Sequence, residues 1–356
     1  MRPTLLPGLR RLWRDERTVQ LGTDPEAAVV LELGRPELSR VLDLLDGSRT
    51  LHVLLTEAEA LGLDDADVLD LVQALRAAGL VVGAHALLPT GLPRPVHARL
   101  AVEAAAIGLR LRAGDGPRTP ADVLRRRTSS RVVVAGDGPL VAPLATALAG
   151  AGVGHVEPVV EGTATHADVA VGGLGSHDVA ASRAIATSTV ITRFAPGVDV
   201  SSVRSDTVDF VVQVGDRHPP GLARRGMRLH TLPRLDVTVR LGTVLVGPLV
   251  RPAGSPCRLC LELHRSDRDP AWPVLAAQLA TAPGGGGEPC ALTTAMAGAA
   301  FAADEVLSYI DGGALRTEAA IVEIARPGEF RRRAWGAHPR CDCRRRRRGA
   351  TPPARL

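Results

Sequence analysis

Four of the five cysteines in this chain of 356 residues fall into two tight pairs, Cys257-Arg258-Leu259-Cys260 and Cys341-Asp342-Cys343, about 80 residues apart. A thiolate pair on a knuckle turn supplies half of a tetrahedral metal shell, and a second pair completes it with Zn–S bonds of about 2.3 Å. The competing reading is a disulfide framework. Stapled secreted domains are short and cysteine-dense, whereas this chain is long, holds few cysteines and opens without a charged, apolar leader pattern. A closed structural zinc site on Cys257, Cys260, Cys341 and Cys343, in a cytoplasmic protein, is therefore expected. The fifth thiol, Cys290, stands alone just before an alanine-rich helical stretch. A helix N-terminus lowers a thiol pKa and favours a nucleophile, but lone cysteines more often simply pack.

A hydrophobic content of 45 % over this length predicts two domains, each with its own core. No uncharged apolar run approaches the roughly 18 residues of a membrane span. The formal charge of +5 is concentrated at the end, in the unbroken run Arg344 to Arg348 preceded by Arg331 to Arg333, so the body is close to neutral. With 2 % aromatic residues there are few rings to stack on bases, and nucleic-acid binding is not expected. The arginine run reads as a solvated, disordered tail over 346–356. Lysine and asparagine are absent and all 43 basic residues are arginine, which removes lysine from any catalytic scheme.

Residues 1–85 have a pattern of their own. Thr18 to Leu21 and Ala27 to Leu33 read as two strands across the turn-rich Gly22-Thr23-Asp24-Pro25. Apolar residues then recur at helical spacing from Leu38 to Leu45, from Leu51 to Ala60 and from Asp65 to Ala78, before a short closing strand at Leu80 to Val82. A hairpin, three helices and a strand make a winged-helix-like unit. The segments Leu45-Asp46-Gly47-Ser48-Arg49-Thr50 and Leu75-Arg76-Ala77-Ala78-Gly79-Leu80-Val81 resemble the PqqD-like leader-peptide recognition element of ribosomal-peptide maturation systems. DNA-binding winged helices share the periodicity, but the third helix carries Asp64, Asp65, Asp67 and Asp70 against a single Arg76, the reverse of what phosphate binding needs. The resemblance implies that an extended peptide adds to the second strand and lies against the third helix. Here that implicates Val29, Leu31, Leu69, Gln73 and Arg76.

Residues 86–128 read as a proline-rich linker with one helix at Leu100 to Arg112, and a domain boundary is placed near residue 128. From Arg131 a β-branched strand runs into Gly136-Asp137-Gly138-Pro139, then an alanine-rich helix and a second strand at His155 to Val160, the opening of a Rossmann-like α/β unit. The turn lacks the third glycine of GxGxxG and starts its helix with proline, which leaves fewer amides to face a phosphate. Further strands are predicted at Asp168 to Val171, Thr189 to Thr192, Asp209 to Val214 and Thr243 to Leu249.

This order, with Ser255-Pro256-Cys257-Arg258-Leu259-Cys260 after the last strand, resembles the ThiF/MoeB family of E1-like adenylating enzymes. The segments with Arg265, Asp269-Pro270-Ala271-Trp272-Pro273-Val274-Leu275, Gln278-Leu279 and His338-Pro339-Arg340-Cys341-Asp342-Cys343 are similar to the E1-like partner of azole-forming cyclodehydratases. The likeness spans nearly all of residues 1–345 and makes 129–345 the E1-like domain. Adenylation in that family, as the resemblance implies, uses acidic residues after the second strand, an Asn/Arg/Gln stretch, a lysine over the phosphates and a metal-binding Asp. Asp216 matches the last of these, and Gly136, Asp137 and Gly138 the glycine turn, but no lysine exists and no Asn/Arg/Gln stretch follows Val160. Arginine is no drop-in for a compact ammonium, so a vestigial nucleotide site without ATP is expected.

Two functions follow. One is a scaffold that binds the leader of a precursor peptide and presents it to a YcaO-type cyclodehydratase, the scaffold pairing as a homodimer by analogy. The other is an active adenylyltransferase acting on a carboxyl terminus. A winged-helix transcription factor is a third and weaker option.

Overall fold

A computed structural model describes residues 1–112, 118–171, 173–216, 231–252, 254, 256–281 and 288–343. The arginine run Arg344 to Arg348 and the glycine run Gly284 to Gly287 lie outside the described residues. The chain packs as two units, Met1–Arg126 and Arg127–Leu356.

The first unit holds strands β1 (Pro3–Leu5), β2 (Arg11–Trp13), β3 (Thr18–Leu21) and β4 (Val29–Glu32), then helices α1 (Val41–Leu44), α2 (Leu51–Glu59) and α3 (Asp65–Ala77), strand β5 (Val81–Gly83), and helices α4 (Ala84–Leu87), α5 (Arg94–Arg112) and α6 (Pro120–Ser129), the last crossing the division. Strands β2-β3-β4 form an antiparallel sheet, while the closing strand β5 pairs with β1 instead. Two strands, β1 and β2, were not legible in the sequence; each is three residues long, below the length at which alternation declares itself. The helix expected from Leu38 to Leu45 divides into a 3₁₀ turn at Pro36–Arg40 and the single turn of α1. Val19, Leu21, Leu42, Leu54, Val68, Leu71, Val72 and Leu75 close the core beneath the sheet.

The stretch 86–128, expected as a linker with one helix, instead carries two long helices with a small core of Leu100, Ala104, Ile107, Val123 and Leu124 beneath them. The prolines misled: Pro95 is the second residue of α5 and Pro120 the first of α6, both in the first turn, where a missing N–H costs nothing and a fixed φ helps. They start helices rather than breaking them.

The second unit runs β6 (Arg131–Gly136), α7 (Val141–Gly150), β7 (His155–Val160), α8 (His166–Ala170), α9 (Arg183–Phe194), β8 (Phe210–Val214), β9 (Arg234–Arg240), β10 (Thr243–Val250), α10 (Arg258–Arg268), α11 (Trp272–Thr281), α12 (Leu292–Asp311), β11 (Ala320–Arg326) and β12 (Glu329–Ala334). One seven-stranded sheet takes the order β12-β11-β10-β9-β8-β6-β7, parallel from β7 to β9 and antiparallel from β9 to β12. Val132, Val134, Phe210, Val212, Leu235, Val237 and Val244 form one face, covered by Leu144 and Leu148 of α7 and the alanines of α12. The small residues let α12 lie close: a Cβ on Gly298 would stand 2.5 Å from the Val244 side chain.

Two predicted strands are helices. Thr165 and Asp168 form a capping box that starts α8, with the Asp168 carboxylate accepting from the Thr165 amide at 2.7 Å and its hydroxyl at 2.9 Å. Thr189 to Thr192 lies inside α9, where Ala186, Thr187, Val190 and Ile191 are buried at helical spacing. That period becomes visible only across the whole helix, since the four residues alone are β-branched or threonine. No helix among the described residues is long and apolar enough to cross a membrane.

Candidate functional site

Cys257 caps α10 and Cys260 follows in its first turn, the Cys260 amide donating to the Cys257 carbonyl at 3.0 Å. Cys341 and Cys343 follow β12, with the Cys341 amide donating to the His338 carbonyl at 3.0 Å. All four sulfurs lie within 4.8 Å of one another, at 3.9 Å for 257–260, 3.6 Å for 257–341 and 3.4 Å for 260–343. A tetrahedron of bonds about 2.3 Å long has edges of about 3.8 Å, so the set is sized for one ion. A disulfide needs about 2.05 Å, and none of these separations approaches it.

Burial pushes the Cys260 thiol up and drives that of Cys341 up to about 12. Sulfurs packed this closely are the ligand set of a soft divalent metal, since thiolates at such separations need a cation between them. His338, 3 % exposed, bonds the Asp267 carboxylate at 2.7 Å and packs edge-on to His264, whose ring meets the Gly336 carbonyl at 3.0 Å. The His338 hydrogen bond lowers the Asp267 pKa, with burial opposing it. Asp267 and His264 escaped sequence reasoning, although their i, i+3 spacing on α10 places them on one face.

Arg265 and Trp272, read in the sequence as part of a motif, meet here. The Arg265 guanidinium lies 4.8 Å from the Trp272 ring centroid, and Glu262 accepts from Arg265 Nη1 at 3.2 Å and from Trp272 Nε1 at 2.6 Å. These residues tie α10 to α11. Cys290 donates to the Gly242 carbonyl at 3.5 Å, packs against the main core, and has its pKa raised by burial. It is a packed thiol, and the low-pKa nucleophile is not realised.

Gly136 ends β6 and Asp216 follows β8, so the glycine turn and Asp216 stand at the carboxyl ends of adjacent parallel strands, where α/β sheets bind ligands. Gly136 is required by packing: its φ is +134° and a Cβ would lie 1.8 Å from the Val214 carbonyl oxygen. The Asp137 amide donates to that oxygen at 3.2 Å, and the space a Cβ on Gly215 would take is 2.3 Å from the Asp137 Oδ1. Gly138 has φ +90° with open space around it. Asp216 is held by Arg240 Nη2 at 2.6 Å, and Arg240 Nη1 also faces Glu288 at 3.7 Å. Two carboxylates thus flank the turn, one of them closed off by an arginine, and Pro143 removes an amide from the first turn of α7.

In the first unit β4 pairs, among the described residues, with β3 alone and is an edge. The Leu33 amide donates to the Arg17 carbonyl, so in this register Leu31 and Val29 bond inward and Val30 and Glu32 direct their N–H and C=O outward. Val29 and Leu31, predicted to meet a peptide, turn their side chains onto the core. The residues that offer a free backbone are Val30, 46 % exposed, and Glu32. On α3, Gln73 and Arg76 are exposed and Leu69 half-buried on the face away from the buried Val68, Leu71, Val72 and Leu75. A cavity of about 690 Å³ in the same unit, lined by Arg2, Thr50, His85, Leu88 and His97 among others, involves none of the predicted residues.

No family model and no curated protein matches the sequence. Solved structures do. E. coli MccB with ATP superposes with a TM-score of 0.60 at 14% identity, over 96% of this chain and 99% of that one. The microcin C7 biosynthetic enzyme MccB in complex with N-formylated MccA gives 0.59 at 12%, over 96% and 99%. PaaA gives 0.59 at 14%, over 92% and 98%. At such identities the likeness establishes the fold alone, that of MccB, in which an α/β unit follows a smaller N-terminal one in the chain.

Proposed function

We propose that this chain is an E1-fold scaffold that captures the leader of a ribosomally made precursor peptide at β4 and presents it to a YcaO-type cyclodehydratase, with Cys257, Cys260, Cys341 and Cys343 holding a structural zinc ion. The observation that carries the reading is the free edge of β4, which offers Val30 and Glu32 to an added strand while the inner side chains stay anchored in a core. The likeness to MccB, solved with its own peptide MccA, supports peptide handling on this fold. The N-terminal unit plays the part of the PqqD-like element.

The same proposal takes the chain not to adenylate on its own. Phosphoryl and adenylyl transfer need cations where charge develops, and here Asp216 already neutralises Arg240 in a chain without lysine. A second reading, adenylation of a carboxyl terminus, is favoured by the MccB structure holding ATP. Zinc, where bound, supplies a crosslink between the start of α10 and the chain after β12.

The test is Val30→Pro in the full chain. Proline removes an N–H that points away from β3, so the sheet is preserved. Peptide affinity, measured by anisotropy with labelled leader peptides of ribosomally made precursors that bind the wild-type chain, is expected to fall about tenfold or more with little change in melting temperature. Unchanged affinity in a folded variant would exclude β4 as the capture edge.

A further inference from the structure

The second unit has an open edge of its own, in a different charge environment. Among the described residues strand β12 pairs only with β11, and all six of its residues are exposed. The Trp335 amide donates to the Ala319 carbonyl, so in this register Arg331 and Arg333 bond inward and Phe330, Arg332 and Ala334 point N–H and C=O away from the sheet.

Side chains alternate across the strand. One face carries Arg331 and Arg333, and Arg333 is paired with Glu323 at 2.6 Å. The other carries Phe330 and Arg332. Phe330 is 55 % exposed with its ring 5.9 Å from Phe301, and Arg332 donates to the Arg316 carbonyl at 2.8 Å. Neither Arg331 nor Arg332 meets a carboxylate among the ion pairs of the described residues, so each face keeps one guanidinium charge beside the open backbone. Charged edges ordinarily serve to repel copies of the same strand. That repulsion opposes β12 pairing with itself, and the same charges attract a strand of opposite sign. The exposed Phe330 ring, backed by the half-buried Phe301, adds an apolar contact that repulsion alone does not call for.

We propose that β12 is a docking edge for an extended acidic segment of another polypeptide, added antiparallel as an eighth strand. Its residues would read acidic, acidic, apolar, to lie opposite Arg332, Arg331 and Phe330 in turn. The proposal is independent of peptide capture at β4, where the outward residues are Val30 and Glu32.

The experiment uses the full chain and short fluorescein-labelled peptides in a valine and threonine background. One carries Glu-Glu-Phe, one Lys-Lys-Phe, and one is the Glu-Glu-Phe peptide N-methylated at alternate residues on its bonding edge. Anisotropy is expected to show saturable binding of the first, little of the second, and loss on N-methylation. Arg331→Glu/Arg332→Glu should weaken the acidic peptide about tenfold or more, the scale of two reversed cross-strand charge pairs, and bring in the lysine peptide. Arg331→Gln/Arg332→Gln should show the first loss without the gain, and serves if the charge reversal does not fold. Val30→Pro, directed at β4, should leave the affinity of the Glu-Glu-Phe peptide for β12 as it is. The proposal is overturned if no saturable binding occurs, if the N-methylated peptide binds equally, if both arginine variants retain full affinity, or if Val30→Pro removes the binding.

Discussion

Replacing Cys260 with serine tests the metal centre most directly. Its side chain is wholly buried, with sulfur 3.9 Å from that of Cys257 and 3.4 Å from that of Cys343. A serine oxygen sits closer to its Cβ than sulfur does and stays protonated, so the ion keeps three ligands. Losing even an outer partner of a ligand costs 10–100-fold in affinity, and losing a ligand is put at about 1,000-fold. At free zinc about 1,000 times the native Kd, binding only the folded form contributes about 4.1 kcal/mol. In the variant [L]/Kd falls to about one, and the same relation leaves about 0.4 kcal/mol. The loss of nearly 4 kcal/mol corresponds to a fall in Tm of roughly 7–15 °C for a unit of this size. Zinc per chain is read by atomic emission and Tm by calorimetry, each with and without chelator. Chelation should lower the wild type to near the variant and leave the variant almost unmoved. Full zinc occupancy and an unchanged Tm in Cys260→Ser would refute the ligand assignment; an equal loss between the two proteins under chelation would assign the effect to packing.

Cys290→Ser should keep full zinc and lose at most about 1 kcal/mol, as expected of a half-buried thiol with one weak hydrogen bond; loss of metal would bring Cys290 into the centre. Purified chain mixed with ATP, magnesium and labelled pyrophosphate should show no exchange, and robust exchange would establish the adenylating reading instead. Gly136→Ala should destabilise by about 3 kcal/mol or more, since the added Cβ meets the Val214 carbonyl at 1.8 Å on a left-handed residue; a neutral result in urea titration would contradict the described turn. Asp122 accepts from the Thr119 hydroxyl and amide and from Arg125, which holds its pKa down at about 2 against an ordinary 3.8. A depressed carboxylate stabilises above the unfolded value and loses that contribution as pH falls through the folded one. Amide protection in α6, taken relative to the intrinsic exchange rate at each pH, should therefore fall between about pH 4 and pH 2, by less than about 1 kcal/mol because the carboxylate is partly exposed, and Asp122→Asn should remove that pH dependence.

What was legible in the sequence was whatever is written over short distances. Cys257 and Cys260 must share a turn, as must Cys341 and Cys343, so each half of the sulfur set is a local fact. The buried strands β6, β7, β8 and β10 announced themselves as β-branched runs, and α2 and α3 by a repeat long enough to count. Tertiary structure decided the rest, because pairing is a property of what lies alongside. Whether Thr189 to Thr192 became strand or helix depended on which face met α7, and the prolines of 86–128 changed meaning once a core formed under α5 and α6. That Arg240 closes Asp216, 24 residues earlier in the chain, follows only from β9 lying beside β8. The two open edges are likewise invisible in the chain itself. An edge is defined by the neighbour that is missing, and register alone turned Val30 and Glu32 outward on one sheet and Phe330 and Arg332 on the other, where opposite side-chain chemistries meet the same free backbone.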